Sequence, residues 1–135
     1  MGFVDAIKTC FSKYATFSGR ATRSEYWWFL LFYMIISIIP LVQIAVLALI
    51  IPQLAVSWRR LHDIGKSGLW LFLPMIALPF YMIDLFSTQQ AGILSMIGLA
   101  ISVVTTILLI VWLATAGKPV DNRFGPPPAP SLAKA

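Results

Sequence analysis

Arg59-Arg60-Leu61-His62-Asp63 is the densest run of charge in the chain, and its residue types allow three uses. Two neighbouring guanidinium forks match phosphate oxygens, so the run could clamp a lipid headgroup or another acidic group. His62 beside Asp63 has the make-up of an acid–base pair, but no nucleophile or metal partner accompanies them. The third use is structural, because a charge at a membrane edge must find a partner or water. On that reading Arg59 or Arg60 pairs with Glu25, and Asp63 pairs with Arg20 or Arg23. Pairing is favoured over headgroup or partner binding, and both over catalysis.

The remaining chemical candidates are thinner. Gly65-Lys66-Ser67 looks like the end of a phosphate loop, but that pattern needs a glycine where Arg60 stands. One cysteine, Cys10, excludes an intrachain disulfide, and with one histidine it cannot build a four-ligand zinc site. No metal, no cofactor and no enzymatic activity are expected. Asp84 is the lone acid in an apolar stretch, about 24 Å past Gly68 if the segment is helical. That depth suggests an exposed interfacial carboxylate rather than a coupling acid at the midplane. Gln43 and Gln53 are polar but do not titrate.

The elements that must carry these residues follow from the distribution of charge. The chain has 135 residues, 59% hydrophobic and 11% charged, with ten Lys/Arg against five Asp/Glu. Its mean hydropathy is +0.86. Soluble domains carry about 25% charged residues, so this composition points to a bilayer, and the basic excess to anionic headgroups rather than nucleic acid. No secretory signal peptide is evident. Between Tyr26 and Trp58 there is no charge at all. As one helix that run would measure about 50 Å, against a hydrocarbon core of about 30 Å. Two short helices breaking near Pro40 fit better than one long bent helix, and Pro52 is expected to kink the second. Leu69–Phe86, interrupted by Pro74 and Pro79, makes a third span. The polar patch Ser87-Thr88-Gln89-Gln90 makes a turn, and Gly92–Thr115 makes the fourth span.

Short cytoplasmic loops are enriched in Lys and Arg. Lys8, Lys13, Arg20 and Arg23 precede the first span, Arg59, Arg60 and Lys66 occupy the middle loop, and Lys118, Arg123 and Lys134 follow the last. Four spans put all ten on one face with both termini cytoplasmic. Three spans would force the Arg59–Lys66 loop across the membrane.

Before the first span, Phe3, Val4, Ile7, Cys10, Phe11, Tyr14 and Phe17 share one face of a helix opposite Lys8 and Lys13. This amphipathic segment either lies in the headgroup plane or packs on the bundle, and Ser18-Gly19 is expected to end it. Thr22-Arg23-Ser24-Glu25 has capping-box spacing. Gly98 and Ser102, extended by Ala91, Ser95, Thr105 and Thr106, give the last span a small-residue surface for packing within the monomer or for a homodimer. Gly125-Pro126-Pro127-Pro128-Ala129-Pro130 begins a tail that forms neither helix nor sheet and is expected to be extended and disordered.

Three stretches, Phe17-Ser-Gly-Arg-Ala-Thr-Arg-Ser-Glu-Tyr-Trp-Trp28, Arg59-Arg-Leu-His-Asp-Ile-Gly-Lys-Ser-Gly68 and Asn122-Arg-Phe-Gly-Pro126, in this order around apolar spans, resemble the bacterial family called domain of unknown function 805. The resemblance covers essentially residues 1–128. It implies a bacterial inner-membrane protein and supplies no biochemical activity. The long region between Gly68 and Asn122 departs from the single span of many relatives, so the span count rests on charge.

The expected protein is therefore an all-α membrane protein: an N-terminal amphipathic interfacial helix (1–19), a four-helix transmembrane bundle (20–117, spans about 23–39, 42–58, 69–86 and 92–115) and a cytoplasmic Pro-rich tail (118–135). Its candidate site is a cytoplasmic cluster of Arg20, Arg23, Glu25, Arg59, Arg60, His62, Asp63, Lys66, Asn122 and Arg123, used for ion pairing or for a headgroup or partner. Anionic membrane lipids are the expected partners, with a homo-oligomer or a membrane-protein partner next and no nucleic acid. A non-enzymatic lipid- or partner-binding component is the leading function. A small transporter or channel subunit acting as an oligomer is the alternative.

Overall fold

The computed structural model describes residues 1–87 and 92–128. The expected turn at Thr88–Gln90, the place of Ala91 and the tail from Ala129 with Lys134 lie outside them. Among the described residues the regular elements are helical: α1 (Phe3–Ser12), α2 (Arg23–Ile38), a 3-10 turn (Pro40–Val42), α3 (Gln43–Asp63), a 3-10 stretch (Gly68–Ala77), α4 (Leu78–Ser87) and α5 (Ile93–Ala114). Among the described residues three stretches are long and apolar enough to cross a membrane: Pro40–Asp63, Gly68–Ser87 and Ile93–Ala114. α2 has 16 residues and a length of about 24 Å, short of an ordinary span.

The chain divides into two compact units, residues 1–68 with those from Leu113 onward, and Leu69–Trp112. In the first unit, α1 lays its small residues against α2: Ala6 and Cys10 are fully buried. Phe11 meets Phe29 and Phe32 edge-on at 6.0 and 6.2 Å, and Phe3 meets Trp28 at 5.8 Å. Val4 and Phe11 keep part of their surface exposed. The helix ends at Ser12, earlier than Ser18-Gly19. There the Ser12 hydroxyl donates to the Thr9 carbonyl, competing with the next backbone N–H, and the chain turns so that the Tyr14 hydroxyl can donate to the Ala48 carbonyl of α3. That carbonyl lies four residues before Pro52, which has no N–H to offer it. Tyr14 therefore answers the acceptor that the proline orphans, and Pro52 sits fully buried inside a continuing helix.

The uncharged run is broken at Pro40 into α2 and α3. Gln43 Nε2 donates to the Ser37 and Ile39 carbonyls at 3.1 and 3.3 Å, satisfying the end of α2 from the first residue of α3. Leu41 and Ile44 at this turn are 96% and 85% exposed. Such exposure suits lipid rather than water.

The second unit is a helical hairpin. Gly98 lets α5 approach α4: a Cβ there would stand 3.2 Å from Phe80 and from Tyr81. The Tyr81 hydroxyl reaches Ser102 Oγ at 3.3 Å. Gly98 and Ser102 of the small-residue surface thus face α4. Asp84 is buried, at 4% exposure, not exposed at an interface. Its Oδ2 accepts from the Gly92 and Ser95 N–H groups at 2.5 and 3.1 Å, capping α5 from the preceding helix.

Candidate functional site

The first unit gathers its charges at two helix ends. α3 does not stop with the apolar run at Trp58; it continues through Asp63, so Arg59, Arg60, His62 and Asp63 are helical residues rather than loop residues. What ends it is Gly65, at φ +80°. The Gly65 N–H donates to the His62 carbonyl and the Lys66 N–H to the Leu61 carbonyl, both at 2.9 Å, the paired bonds of a Schellman stop. The Gly-Lys-Ser segment is thus a helix terminator. At the start of α2, Thr22 Oγ1 accepts from the Glu25 N–H at 3.1 Å. The capping box is only half used, because the Glu25 carboxylate goes to Arg59.

Ion pairs hold the cluster. Arg59 Nη1 lies 2.6 Å from Glu25 Oε1, Arg20 Nε 2.9 Å from Asp63 Oδ1, and Arg60 Nη1 2.5 Å from Asp63 Oδ2. Arg59 and Arg60 are 1% and 0% exposed. Buried charge is tolerable only when its other hydrogen-bonding groups are also met, and here backbone carbonyls meet most of them. Arg60 donates to the Leu113 and Ala21 carbonyls at 3.0 and 3.4 Å and also to that of Thr115. Arg20 donates to Val120 at 2.8 Å, Asp63 at 3.2 Å, Gly125 at 3.5 Å and Lys118. Arg23 adds a bond of 3.4 Å to the Ala114 carbonyl. The last carbonyls of α5 therefore face arginines, which suits the negative end of a helix. Nε and Nη2 of Arg59 are buried with no hydrogen-bond partner.

The chain after α5 is folded onto this cluster as far as it is described, in contrast to a free tail. The Lys118 N–H donates to the Asp63 carbonyl at 3.1 Å. Asn122 and Gly125 exchange backbone bonds across a tight turn, and Asn122 Nδ2 donates to the His62 carbonyl at 2.9 Å. Phe124 stacks on the His62 ring at 3.8 Å, and the Arg123 guanidinium lies over the Phe124 ring at 4.6 Å. His62 Nδ1 donates to the Gly19 carbonyl at 2.8 Å. His62 and Asp63 are thus held by different partners and do not form an acid–base pair. Among the described residues no three His, Cys, Asp or Glu side chains gather as a metal ion would need. Cys10 joins the edge of the cluster, its thiol 3.8 Å from Glu25 Oε1. Burial, reinforced by the Glu25 charge, pushes that thiol up to about 12.

The structure brings Arg20, Glu25, Arg59, Arg60, His62, Asp63, Asn122 and Arg123 into one assembly, with Arg23 at its edge. It separates them by access. Arg20, Arg59 and Arg60 are buried in pairs, whereas Lys8, Arg23, Lys118 and Arg123 are exposed and Lys13 and Lys66 half-buried. A cleft of about 250 Å³ opens between Thr22-Arg23, Asp63, residues 116–119 and Pro127-Pro128. Sequence reading missed Gly117, where a Cβ would stand 1.8 Å from Asp63 Oδ2. It also missed the carbonyls that complete the arginine forks. Backbone acceptors carry no sequence signature, and the glycine beside Lys118 was the one visible sign of close approach.

The chain matches the family described as "Protein of unknown function (DUF805)" over residues 14–46 and 36–126. It is 31% identical over 128 residues to "Inner membrane protein YhaI" of Escherichia coli K12, covering 85% of this chain and 87% of that protein. It is 30% identical over 132 residues to "Inner membrane protein YhaH" of the same strain, covering 85% and 88%. No solved structure matches.

Proposed function

We propose, for a chain that belongs to the membrane-protein family of unknown function DUF805, a non-enzymatic role in the bacterial inner membrane: one basic, cytoplasmic side that holds anionic lipid headgroups. The carrying observation is the division of the basic residues. Leu69–Trp112 contains none, and every described Lys and Arg lies in the other unit. Within that unit Arg20 and Arg60 are taken up by carboxylates and carbonyls, and Arg59 is buried against Glu25, so direct binding falls to Lys8, Lys13, Arg23, Lys66, Lys118 and Arg123. The buried arginines hold the face together instead of touching the ligand.

The topology that suits this reading has both termini in the cytoplasm. α2 and α3 enter and return as a hairpin, the 3-10 stretch with α4 crosses outward, and α5 crosses back, four membrane helices in all. α2 is short enough to need local thinning of the bilayer or help from interfacial Trp27 and Trp28, which are 37% and 39% exposed. α1 would rest at the interface on the outer surface of α2, its exposed Val4 and Phe11 toward the lipid. A membrane-protein partner or a second copy would compete for the same face.

Native mass spectrometry of the protein extracted gently from its own membrane tests the role. Phosphatidylglycerol or cardiolipin should remain bound in excess over phosphatidylethanolamine; no such excess would sink the reading. Membrane-impermeant labelling of a cysteine placed at Pro126 in intact spheroplasts should fail until the membrane is opened, and labelling beforehand would reverse the orientation. Transport by an oligomer gains no support here, because Asp84 caps α5.

A further inference from the structure

We infer that the cleft between the start of α2, the end of α3 and the segment after α5 is a binding site for a phosphate group. This deepens the headgroup reading and rests on it for the lipid as source. The first argument is charge. Both oxygens of Asp63 are taken, one by Arg20 and one by Arg60, so the carboxylate forming part of the cleft wall presents no unmet negative edge. The buried Arg–Asp–Arg triad carries one net positive charge. Arg23 and Lys118 line the same opening and add two more. Glu25, the nearest other acid along α2, is committed to Arg59, and Asp5 and Asp121 are exposed and absent from the lining. A buried net charge without a counterion is costly; an anion in the cleft would supply it.

The second argument is geometry. Arg23 is exposed, and the hydrogen bond described for its guanidinium is a long one, 3.4 Å to the Ala114 carbonyl. Its fork can therefore turn toward a phosphate, whose paired oxygens it matches. The cleft also lies at the N-terminal end of α2, a 16-residue helix, where the dipole favours an anion. Besides Thr22, whose hydroxyl caps α2, its other walls are Ala116, Pro119, Pro127 and Pro128, which offer no side-chain donor or acceptor and suit the glycerol carbons of a phosphoester. Gly117 shapes the floor, since any side chain there would strike Asp63.

The test uses the full chain in a neutral maltoside detergent with two probes, dioleoyl phosphatidylglycerol and inorganic phosphate. Binding is followed by native mass spectrometry and by titration. Arg23→Gln with Lys118→Gln should weaken phosphatidylglycerol binding by about tenfold or more, as loss of a charge-assisted bond implies. Ala116→Glu, which adds a negative charge to the lining and leaves the buried pairs intact, should do the same. Arg23→Lys with Lys118 kept should retain most of the binding, which separates lost charge from lost folding. Wild-type affinity in both the double variant and Ala116→Glu overturns the cleft. If Lys8→Gln with Lys13→Gln abolishes binding while the cleft variants keep it, the cleft falls and the basic-face reading stands. If inorganic phosphate binds and the double variant loses it, with no retention of phosphatidylglycerol, the cleft stands for a soluble phosphate and the lipid reading falls. Binding of neither probe by the wild type overturns both.

Discussion

Asp63 and Asp84 are both buried carboxylates at helix ends, one in each unit, and they are held by different kinds of partner. Asp63 faces two arginine side chains, one of them 43 residues away in the chain. Asp84 accepts from two backbone N–H groups within eleven residues. The first arrangement ties the N-terminal segment, α3 and the chain after α5 into one knot, and it leaves positive charge over. The second closes a hairpin locally through backbone N–H groups. In the charged unit electrostatics and long-range hydrogen bonds do the joining; in the apolar unit close helix contact and one cap suffice.

The largest expected effect comes from making both carboxylates neutral. At Asp63, Asn would leave Arg20 and Arg60 buried without a counter-charge, a loss of about 3–5 kcal/mol when a buried pair is broken. Total stabilities are about 5–15 kcal/mol, so Asp63→Asn should fail to accumulate in the membrane or melt far below the wild type. The donors described at Asp84 include the neutral N–H groups of Gly92 and Ser95, and Asn is as good a cap as Asp. Asp84→Asn should therefore melt close to wild type, and Asp84→Ala a few degrees lower. Equal losses for the two Asn variants, read by thermal unfolding in detergent, would break the contrast.

Glycines sharpen it at a smaller scale. A Cβ at Gly117 would stand 1.8 Å from Asp63 Oδ2, and one at Gly98 no closer than 3.2 Å to the ring and Cβ of α4. Overpacking of the first kind costs about 1–3 kcal/mol. Gly117→Ala should lower the melting temperature clearly, and Gly98→Ala only slightly. The same order should appear in expression level; the reverse order would mean that helix approach in the hairpin is the tighter constraint.

How much of this was legible varied with the range of the interaction. The break at Pro40 and the Thr22 cap are local, and the residue types announce them. That Arg59 would find Glu25 and Asp63 would find Arg20 could be framed from charge alone, because so few acids exist to choose from. Burial was not legible. The carbonyls of Leu113, Val120 and Thr115 that make Arg20 and Arg60 tolerable inside have no side-chain pattern. For the same reason α3 was expected to end with its apolar run, although paired charges and the Gly65 stop carry it to Asp63. The early end of α1 depends on Tyr14 meeting Ala48, 34 residues on, which no helical periodicity contains. Asp84 was expected to be exposed because only its own apolar segment was counted, whereas the N–H groups that cover it belong to Gly92 and Ser95.

Prolines offer a third contrast. In the hairpin unit Pro74 lies in a 3-10 stretch, Gly68–Ala77, and Pro79 in the first turn of α4. In the charged unit Pro52 stays within an α-helix because Tyr14 answers the orphaned Ala48 carbonyl. Tyr14→Phe should remove about 1 kcal/mol and speed amide exchange around Leu49–Gln53, leaving α4 and α5 as protected as before. Unchanged exchange in α3 would mean that Pro52 needs no outside acceptor match.

The smallest effect probes the interior of the charged unit alone. Cys10 is neutral at physiological pH, its thiol raised from 9.0 to about 12 chiefly by burial. A thiol whose folded value exceeds its unfolded value stabilises the fold fully below the unfolded value, and that contribution is lost as pH rises toward the folded one. Cys10 should therefore leave stability flat through neutral pH and contribute a decline between about pH 9 and 12 that Cys10→Ala lacks. Its thiolate population near pH 8 should be about a thousandfold below that of an exposed cysteine, so maleimide should label it only after unfolding. Rapid labelling of the folded protein at pH 8 would show that α1 lifts from α2, and that the packing which distinguishes this unit opens at its N-terminal edge.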